Sequence, residues 1–185
     1  MVINEKGLID LMKAAFKKRS TGYKVACRVS NRKECEIVLA GPGWFAVMER
    51  ENTPRKVLAL IVEHMGNLPL IGQAYQVQDK QTQAEIFDMA VPELPFLEER
   101  NAPRIARTQL TYQGYRVWQR SDNLSVHLVA ESMEALLINY NQPLAIAENG
   151  MFYTCGAVSR VYISRVPVMR NEDTALDHLA KQQWV

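Results

Sequence analysis

The stretch Gly22-Tyr23-Lys24-Val25-Ala26-Cys27-Arg28-Val29 decides the fold class of this chain. Apolar and polar side chains alternate along it, which is typical of a β-strand with one buried face. After a polar turn, Cys35, Ile37 and Leu39 continue the apolar face on a second run. The pattern therefore predicts a β-hairpin.

A similar phrase, Gly114-Tyr115-Arg116-Val117, recurs about half a chain later, and an arginine again follows it at Arg120. The apolar-rich run from Leu124 to Ala130 completes a second predicted hairpin over about residues 110 to 130. A change of apolar register at Gly114 predicts a β-bulge there. Two related units are one interpretation of the repeated phrase, and convergence on a common hairpin pattern is the other.

The flanking segments supply helices and further strands. Residues 4–18 have the apolar period of a helix with Asn4 as N-cap, and residues 54–65 form a second helix that Thr53 can cap. A Gly-Pro-Gly turn at 41–43 leads to a third strand, and Ser132 is the predicted N-cap of a short helix. Asn149-Gly150 predicts a third hairpin, and a helix closes the chain. The sum is an α+β fold: a mainly antiparallel sheet of several hairpins packed with about four helices.

Residues 67–103 leave two structures open, either two strands or a strand with a short helix. The prolines at 92, 95 and 103 exclude an uninterrupted helix or central strand. We therefore expect an N-terminal helix-hairpin-strand-helix unit at 1–90, a proline-containing connector at 91–109 and a C-terminal hairpin and helix unit at 110–185. One continuous domain is the alternative.

The composition of the chain indicates its cellular location and limits the partners and cofactors that we expect. The three cysteines Cys27, Cys35 and Cys155 are few, and their apolar settings predict reduced core thiols and a cytoplasmic location. The longest apolar run is too short to cross a membrane, so no membrane partner is expected. His64, His127 and His178 lie far apart in the sequence and no phosphate-binding loop occurs, so we expect neither a metal nor another cofactor.

The basic residues concentrate in the two hairpins. In the second, Arg116, Trp118, Arg120 and His127 fall on one face, and the return strand offers no acid opposite them. Arginines beside an aromatic ring on an open sheet are typical of a surface that binds phosphates and unstacked bases. In the alternative interpretation, Trp118 packs under a helix and the arginines lie along its rim.

In the first hairpin, Lys24 and Arg28 face outward, but the return strand carries Glu34 and Glu36 on the corresponding face. Cross-strand ion pairs are expected to neutralise much of this charge. Lys24 and Arg28 are therefore secondary candidates for ligand binding.

The order helix, three strands, helix over residues 4–66 resembles that of double-stranded RNA-binding domains, with Arg55 and Lys56 at the start of the second helix. The turn Ser30-Asn31-Arg32-Lys33 lacks that family's Gly-Pro-x-His loop. The resemblance covers about a third of the chain and concerns the order of elements only, so no residue role is carried over.

Taken together, the sequence favours a small cytosolic, non-enzymatic binding or interaction protein that contacts an anionic ligand or nucleic acid through a basic sheet face. One alternative is a homo-oligomeric assembly module that pairs through its hairpin edges or through a Trp44-Phe45 surface. The other is an enzyme whose site is assembled from residues distant in sequence.

Overall fold

In the computed structural model, the first hairpin forms as its alternation predicts. Strands β1 (Tyr23–Val29) and β2 (Cys35–Gly41) are antiparallel, with Arg28 opposite Glu36. After a tight turn in which Gly43 has φ 77°, β3 (Trp44–Glu49) continues the meander. The structure describes residues 1–17, 23–30, 33–78, 81–85, 102–147, 150–168 and 170–184.

The other elements follow in chain order. Helix α1 (Glu5–Lys17) precedes β1, and α2 (Arg55–Met65) follows β3 after a short 3-10 turn (Arg50–Asn52). The later elements are β4 (Gln73–Gln78), β5 (Gln81–Glu85), β6 (Arg104–Tyr112), β7 (Tyr115–Arg120), β8 (Val126–Val129), α3 (Glu131–Glu134), β9 (Leu144–Ile146), β10 (Phe152–Cys155), β11 (Ser159–Ile163) and α4 (Arg170–Leu179).

The described strands belong to one sheet of eleven, in the order β5-β4-β1-β2-β3-β11-β10-β9-β6-β7-β8, and every neighbouring pair is antiparallel. At its centre β3 pairs with β11, with Trp44 opposite Ile163. This pairing joins strands from the two halves of the sequence. The sheet-rich architecture with four described α-helices agrees with the predicted α+β class.

Both halves of the sheet share one strand order. In the first, the meander β1-β2-β3 is followed by α2, and β4 then returns beside β1. In the second, the meander β6-β7-β8 is followed by α3, and β9 returns beside β6. The repeated sequence phrase does not follow this structural repeat. Its first copy lies on β1 and its second on β7, whereas the strand equivalent to β1 is β6 and β7 is equivalent to β2.

The six strands of the second half curl until their ends meet. The Val166 N–H, just after β11, donates to the Leu128 carbonyl of β8 over 2.8 Å. The ring of His127 on β8 also lies 5.6 Å from that of Phe152 on β10, although three strands separate β8 from β10 in the sheet order. A flat sheet would keep these strands far apart, so the sheet is strongly curved in its second half.

The helices divide between the two faces of the sheet. The largest buried cluster combines α1, α2 and the α3 region with one sheet face, and includes Leu8, Met12, Trp44, Val57, Ile61, Trp118 and Leu136. On the opposite face, Leu176 of α4 packs against Val117, Val126 and Leu128. The expected Trp44-Phe45 docking surface is not exposed, because Trp44 is fully buried and Phe45 packs edge-on against Tyr162.

Two turn details differ from the sequence prediction. Gly114 does not form a bulge; with Gln113 it makes the two-residue turn between β6 and β7, and both residues have positive φ (50° and 82°). This is the type I′ geometry that matches the twist of a hairpin. The register shift lies earlier, between Arg107 and Thr111 of β6.

Two predicted helix caps also differ. Thr53 is buried and donates its hydroxyl to the Glu49 carbonyl, and Pro54 occupies the cap position of α2. Ser132 lies inside α3, which Ala130 precedes. The predicted cap of α1 is confirmed, because Asn4 Oδ1 accepts a long hydrogen bond of 3.5 Å from the Gly7 N–H.

The described part of residues 67–103 contains two strands, β4 and β5. Residues 86–101 lie outside the described residues, so the choice between a strand and a short helix there stays a prediction. Residues 91–101 of the expected connector at 91–109 lie outside the described residues. β6 begins at Arg104, inside the segment assigned to the connector. The division into units at 1–90, 91–109 and 110–185 otherwise stays a prediction.

A close approach of α1 to the α3 region generates a test of the packing. A side chain on Gly7 would overlap the backbone carbonyl of Ala135. We expect Gly7→Ala to lower the free energy of unfolding by about 1–3 kcal/mol, because the clash outweighs the roughly 1 kcal/mol that alanine adds in helix propensity. Urea unfolding measures this, with Lys13→Ala at an exposed position of α1 as the control; an unchanged or raised midpoint for Gly7→Ala would contradict the packing.

Candidate functional site

The second basic hairpin brings its four predicted residues to one face. Arg116, Trp118 and Arg120 alternate along β7, so their side chains leave the same side of the strand. β8 places His127 directly opposite Trp118. This face is the one that also carries the main core cluster.

Trp118 lies beneath the α3 region and is fully buried. Its indole N–H donates to Oε1 of Glu134 on α3 over 2.7 Å. Of the two interpretations offered by the sequence, the tryptophan packed under a helix is the one observed. Its ring is therefore not available for stacking on a ligand.

Glu134 is a buried carboxylate that the sequence did not single out, with only 2% of its surface exposed. Its Oε1 also accepts a hydrogen bond from Arg107 Nε of β6 over 3.3 Å, and its Oε2 lies 3.9 Å from Arg116 Nε. The Arg107 guanidinium lies over the ring of Tyr140, 5.3 Å from its centre. Two permanently charged guanidinium groups thus share one carboxylate, and the cluster keeps one excess positive charge.

Arg116 uses little of its hydrogen-bonding capacity. Its Nε is buried and has no hydrogen-bond partner in the described part of the chain, and its Nη1 makes a long bond of 3.4 Å to the Gln109 carbonyl. A guanidinium carries five N–H donors in a fixed fork. About a fifth of the side chain, 22%, is exposed, so several donors remain for a further acceptor.

Arg120 is paired with an acid from the turn rather than from the return strand. It forms a two-bond fork to Asp122, with Nε–Oδ1 at 2.9 Å and Nη2–Oδ2 at 2.5 Å. Hydrogen bonding within this pair raises the pKa of Arg120 and lowers the pKa of Asp122. The return strand β8 offers no acid to this face, as the sequence indicated. However, Asp122 from the turn and Glu134 from α3 neutralise part of its charge.

His127 is half-buried and close to neutral serine and aromatic groups. Its Nε2 lies 3.4 Å from Ser125 Oγ, and its ring packs against Phe152. Burial, followed by the positive charges of Arg165 and Arg120, lowers the pKa of His127 to about 4. The imidazole is neutral at neutral pH, so it can hydrogen-bond a ligand but adds no charge to the face.

The first basic hairpin lies on the other side of the sheet. Arg28 pairs with Glu36 over 3.1 Å, so the predicted cross-strand neutralisation is confirmed for this residue. Arg160 of β11, which the sequence did not suggest, also binds the same buried carboxylate. Val25 and Cys27 face the main core, so Lys24 and Arg28, which alternate with them, face away from it. The structure does not bring them together with Arg116 and Arg120.

No helix of the described residues is long and apolar enough to cross a membrane. Within the same residues, no group of three or more His, Cys, Asp or Glu side chains gathers where it could hold a metal ion. Comparison with known proteins adds no relative: no protein-family model, curated protein or solved structure matches the chain.

The buried position of Glu134 predicts a large effect of removing its charge. Glu134→Gln keeps the side-chain shape but leaves Arg107 and Arg116 without their shared counter-charge. We expect the free energy of unfolding to fall by about 3 kcal/mol, as is typical when one partner of a buried ion pair is removed. Urea unfolding measures it, and Glu131→Gln, at an exposed position of the same helix, is the matched control. Equal stability of the two variants would contradict the role assigned to Glu134.

His127 also predicts a pH dependence of stability. Its pKa is lower in the folded chain, about 4, than the usual value of 6.5, so only the unfolded chain takes up the proton between these values. The contribution of His127 to stability is therefore full above about pH 6.5 and declines as the pH falls towards 4. NMR titration of the imidazole carbons measures the pKa directly, with the exposed His178 as internal control. A value for His127 near 6.5 would contradict its burial.

Proposed function

We propose that this chain is a non-enzymatic binding protein that takes an anionic ligand at the arginine face of its second half, formed by Arg107, Arg116, Arg120 and Arg165. The observation that carries the proposal is the state of Arg116. Its side chain is partly exposed, and most of its N–H donors make no hydrogen bond within the described residues. It also lies beside a carboxylate that is already shared with a second arginine.

The local charge favours an anion. Among the described residues, the ion pairs of these four arginines involve two carboxylates, since Glu134 pairs with Arg107 and Arg116 while Asp122 pairs with Arg120. Arg165 is exposed, and its charge reaches His127. Partial burial of the guanidinium groups strengthens their attraction for a further anion, because the surrounding medium screens less than water.

The preferred ligand group is a phosphate or a carboxylate. Both match the planar donor fork of arginine, which can bind them through two parallel hydrogen bonds. Base stacking is not supported in the same way, because Trp118 is buried and Tyr140 lies beneath Arg107. A nucleic acid would therefore bind here through its phosphates.

The two alternative functions have less support. For an enzyme, His127 would need a carboxylate to orient it, but its described neighbours are Ser125, Phe152 and the two arginines. For self-association through a sheet edge, β8 is partly occupied, because its Leu128 carbonyl already accepts a bond from Val166. Light scattering on the full chain tests self-association, and a strict monomer counts against it.

Binding of a short inorganic polyphosphate, measured by titration calorimetry at two salt concentrations, tests the proposal. We expect the affinity to fall as salt rises, because the contact is electrostatic. Arg116→Ala should weaken binding at least about tenfold, which corresponds to the loss of one charge-assisted hydrogen bond. Short single-stranded and double-stranded nucleic acids, titrated in the same way, show whether a polymer is bound more tightly than the free anion.

A matched control removes a charge elsewhere. Arg55 is exposed at the start of α2, and Arg55→Ala makes the same change of charge away from this face. We expect it to leave the affinity for polyphosphate nearly unchanged. Equal losses of affinity in Arg116→Ala and Arg55→Ala would show that net charge alone attracts the polyphosphate. An affinity that does not change with salt concentration would contradict an electrostatic site.

A further inference from the structure

Two of the three cysteines meet across the first hairpin. The Sγ atoms of Cys27 on β1 and Cys35 on β2 are 3.2 Å apart, and both are free thiols. In the strand register Cys35 lies opposite Val29, so Cys27 is its diagonal neighbour two residues along. Both side chains lie on the face of the main core. A disulfide requires the two sulfur atoms to approach to about 2.05 Å, roughly 1 Å closer than here.

The two thiols differ in solvent access, and burial keeps the less accessible one protonated. Cys27 is buried with 1% of its surface exposed, whereas Cys35 is partly exposed at the turn end of the hairpin, opposite the half-exposed Val29. Burial, then the neighbouring Cys35, raises the pKa of Cys27 to about 12, and Arg50 opposes this shift. Cys35 is therefore the sulfur that a dissolved oxidant reaches first, and Cys27 is held beside it as a protonated thiol.

We propose that Cys27 and Cys35 are a modification site at which hydrogen peroxide forms a reversible intramolecular disulfide. The Cys35 thiolate attacks one peroxide oxygen, the O–O bond breaks, and protonation of the leaving hydroxide gives water and a Cys35 sulfenic acid. The Cys27 sulfur then attacks the Cys35 sulfur, the S–O bond breaks, and the Cys27 proton leaves with the hydroxide as a second water. Two thiols lose two electrons to one peroxide, and a dithiol reductant restores them by exchange.

Cys155 provides an internal comparison. It is a free thiol on β10 that packs in a different cluster, with Tyr153 and Tyr162, and burial raises its pKa to about 11. Cys155 is the one cysteine among the described residues of this cluster, so no second thiol packs there. It should therefore stay reduced at a peroxide dose that converts the Cys27 and Cys35 pair.

Mass spectrometry of the full chain tests the proposal without any substitution. Trypsin cleaves after Arg28 and Lys33, so Cys27 and Cys35 end on separate peptides, Val25–Arg28 and Glu34–Arg50. After a small molar excess of peroxide, with a chelator present, we expect an intact mass lower by two hydrogen atoms and a single species joining these peptides. Dithiothreitol should return both to the starting masses.

Three variants separate the roles of the sulfurs. Cys155→Ser should form the same linked species at the same dose. Cys35→Ser should leave Cys27 reduced, and Cys27→Ala should stop at a Cys35 sulfenic acid that a cyclic diketone probe traps. If Cys27→Ala does not fold, the peptide map of the wild-type chain still tests whether the disulfide forms. Unlinked peptides, oxidation of Cys155 before the pair, or a disulfide between two chains would each overturn the proposal.

Discussion

The pairing of β3 with β11 is the constraint on which the rest of the structure depends. It places Trp44 of the first half opposite Ile163 of the second, and it joins the strands of the two halves into one sheet. Without it, two strands rich in buried residues would become exposed edges. The main core cluster also runs across this junction, so residues from both halves of the chain are buried in the same interior.

Two buried glutamates fix the polar parts of this sheet, one on each face. Glu36 is held by Arg28 and Arg160, and Glu134 is held by Arg107 and Arg116. Removing a carboxylate from water is costly unless its partners are well placed. Each glutamate therefore fixes the position of the elements that carry its arginines: Glu36 connects β2 with β1 and β11, and Glu134 connects α3 with β6 and β7. Because each carboxylate has two arginines, each cluster also remains positively charged.

The sequence predicted local elements well and the arginine face only in part. Alternation along Tyr23 to Val29 and the helical period of α1 and α2 describe short-range patterns, and those elements are present. Glu134 was missed because its helix has only four residues and its partner Arg107 lies 27 residues earlier in the chain. Asp122 lies in the turn after Arg120, outside the alternating pattern of the two strands, so the pattern of strand faces does not reveal this pair. The burial of Trp118 depended on whether a helix would cover it, and no pattern within β7 decides that.

What the sequence by itself determined is the hairpin structure: which residues form strands, which faces are apolar, and that Arg28 meets Glu36 across a turn. These follow from a period of two along a strand and from short loops, which act over a few residues. Only the tertiary structure decided the order of the strands, the closing of β8 against the segment after β11, and the carboxylates that the arginines meet. The repeated phrase shows the difference: it predicted a hairpin at both places, but the true repeat of strand order is displaced from it by one strand. Strand order is set by contacts between distant segments that bury one shared core. A short local sequence pattern does not specify those contacts.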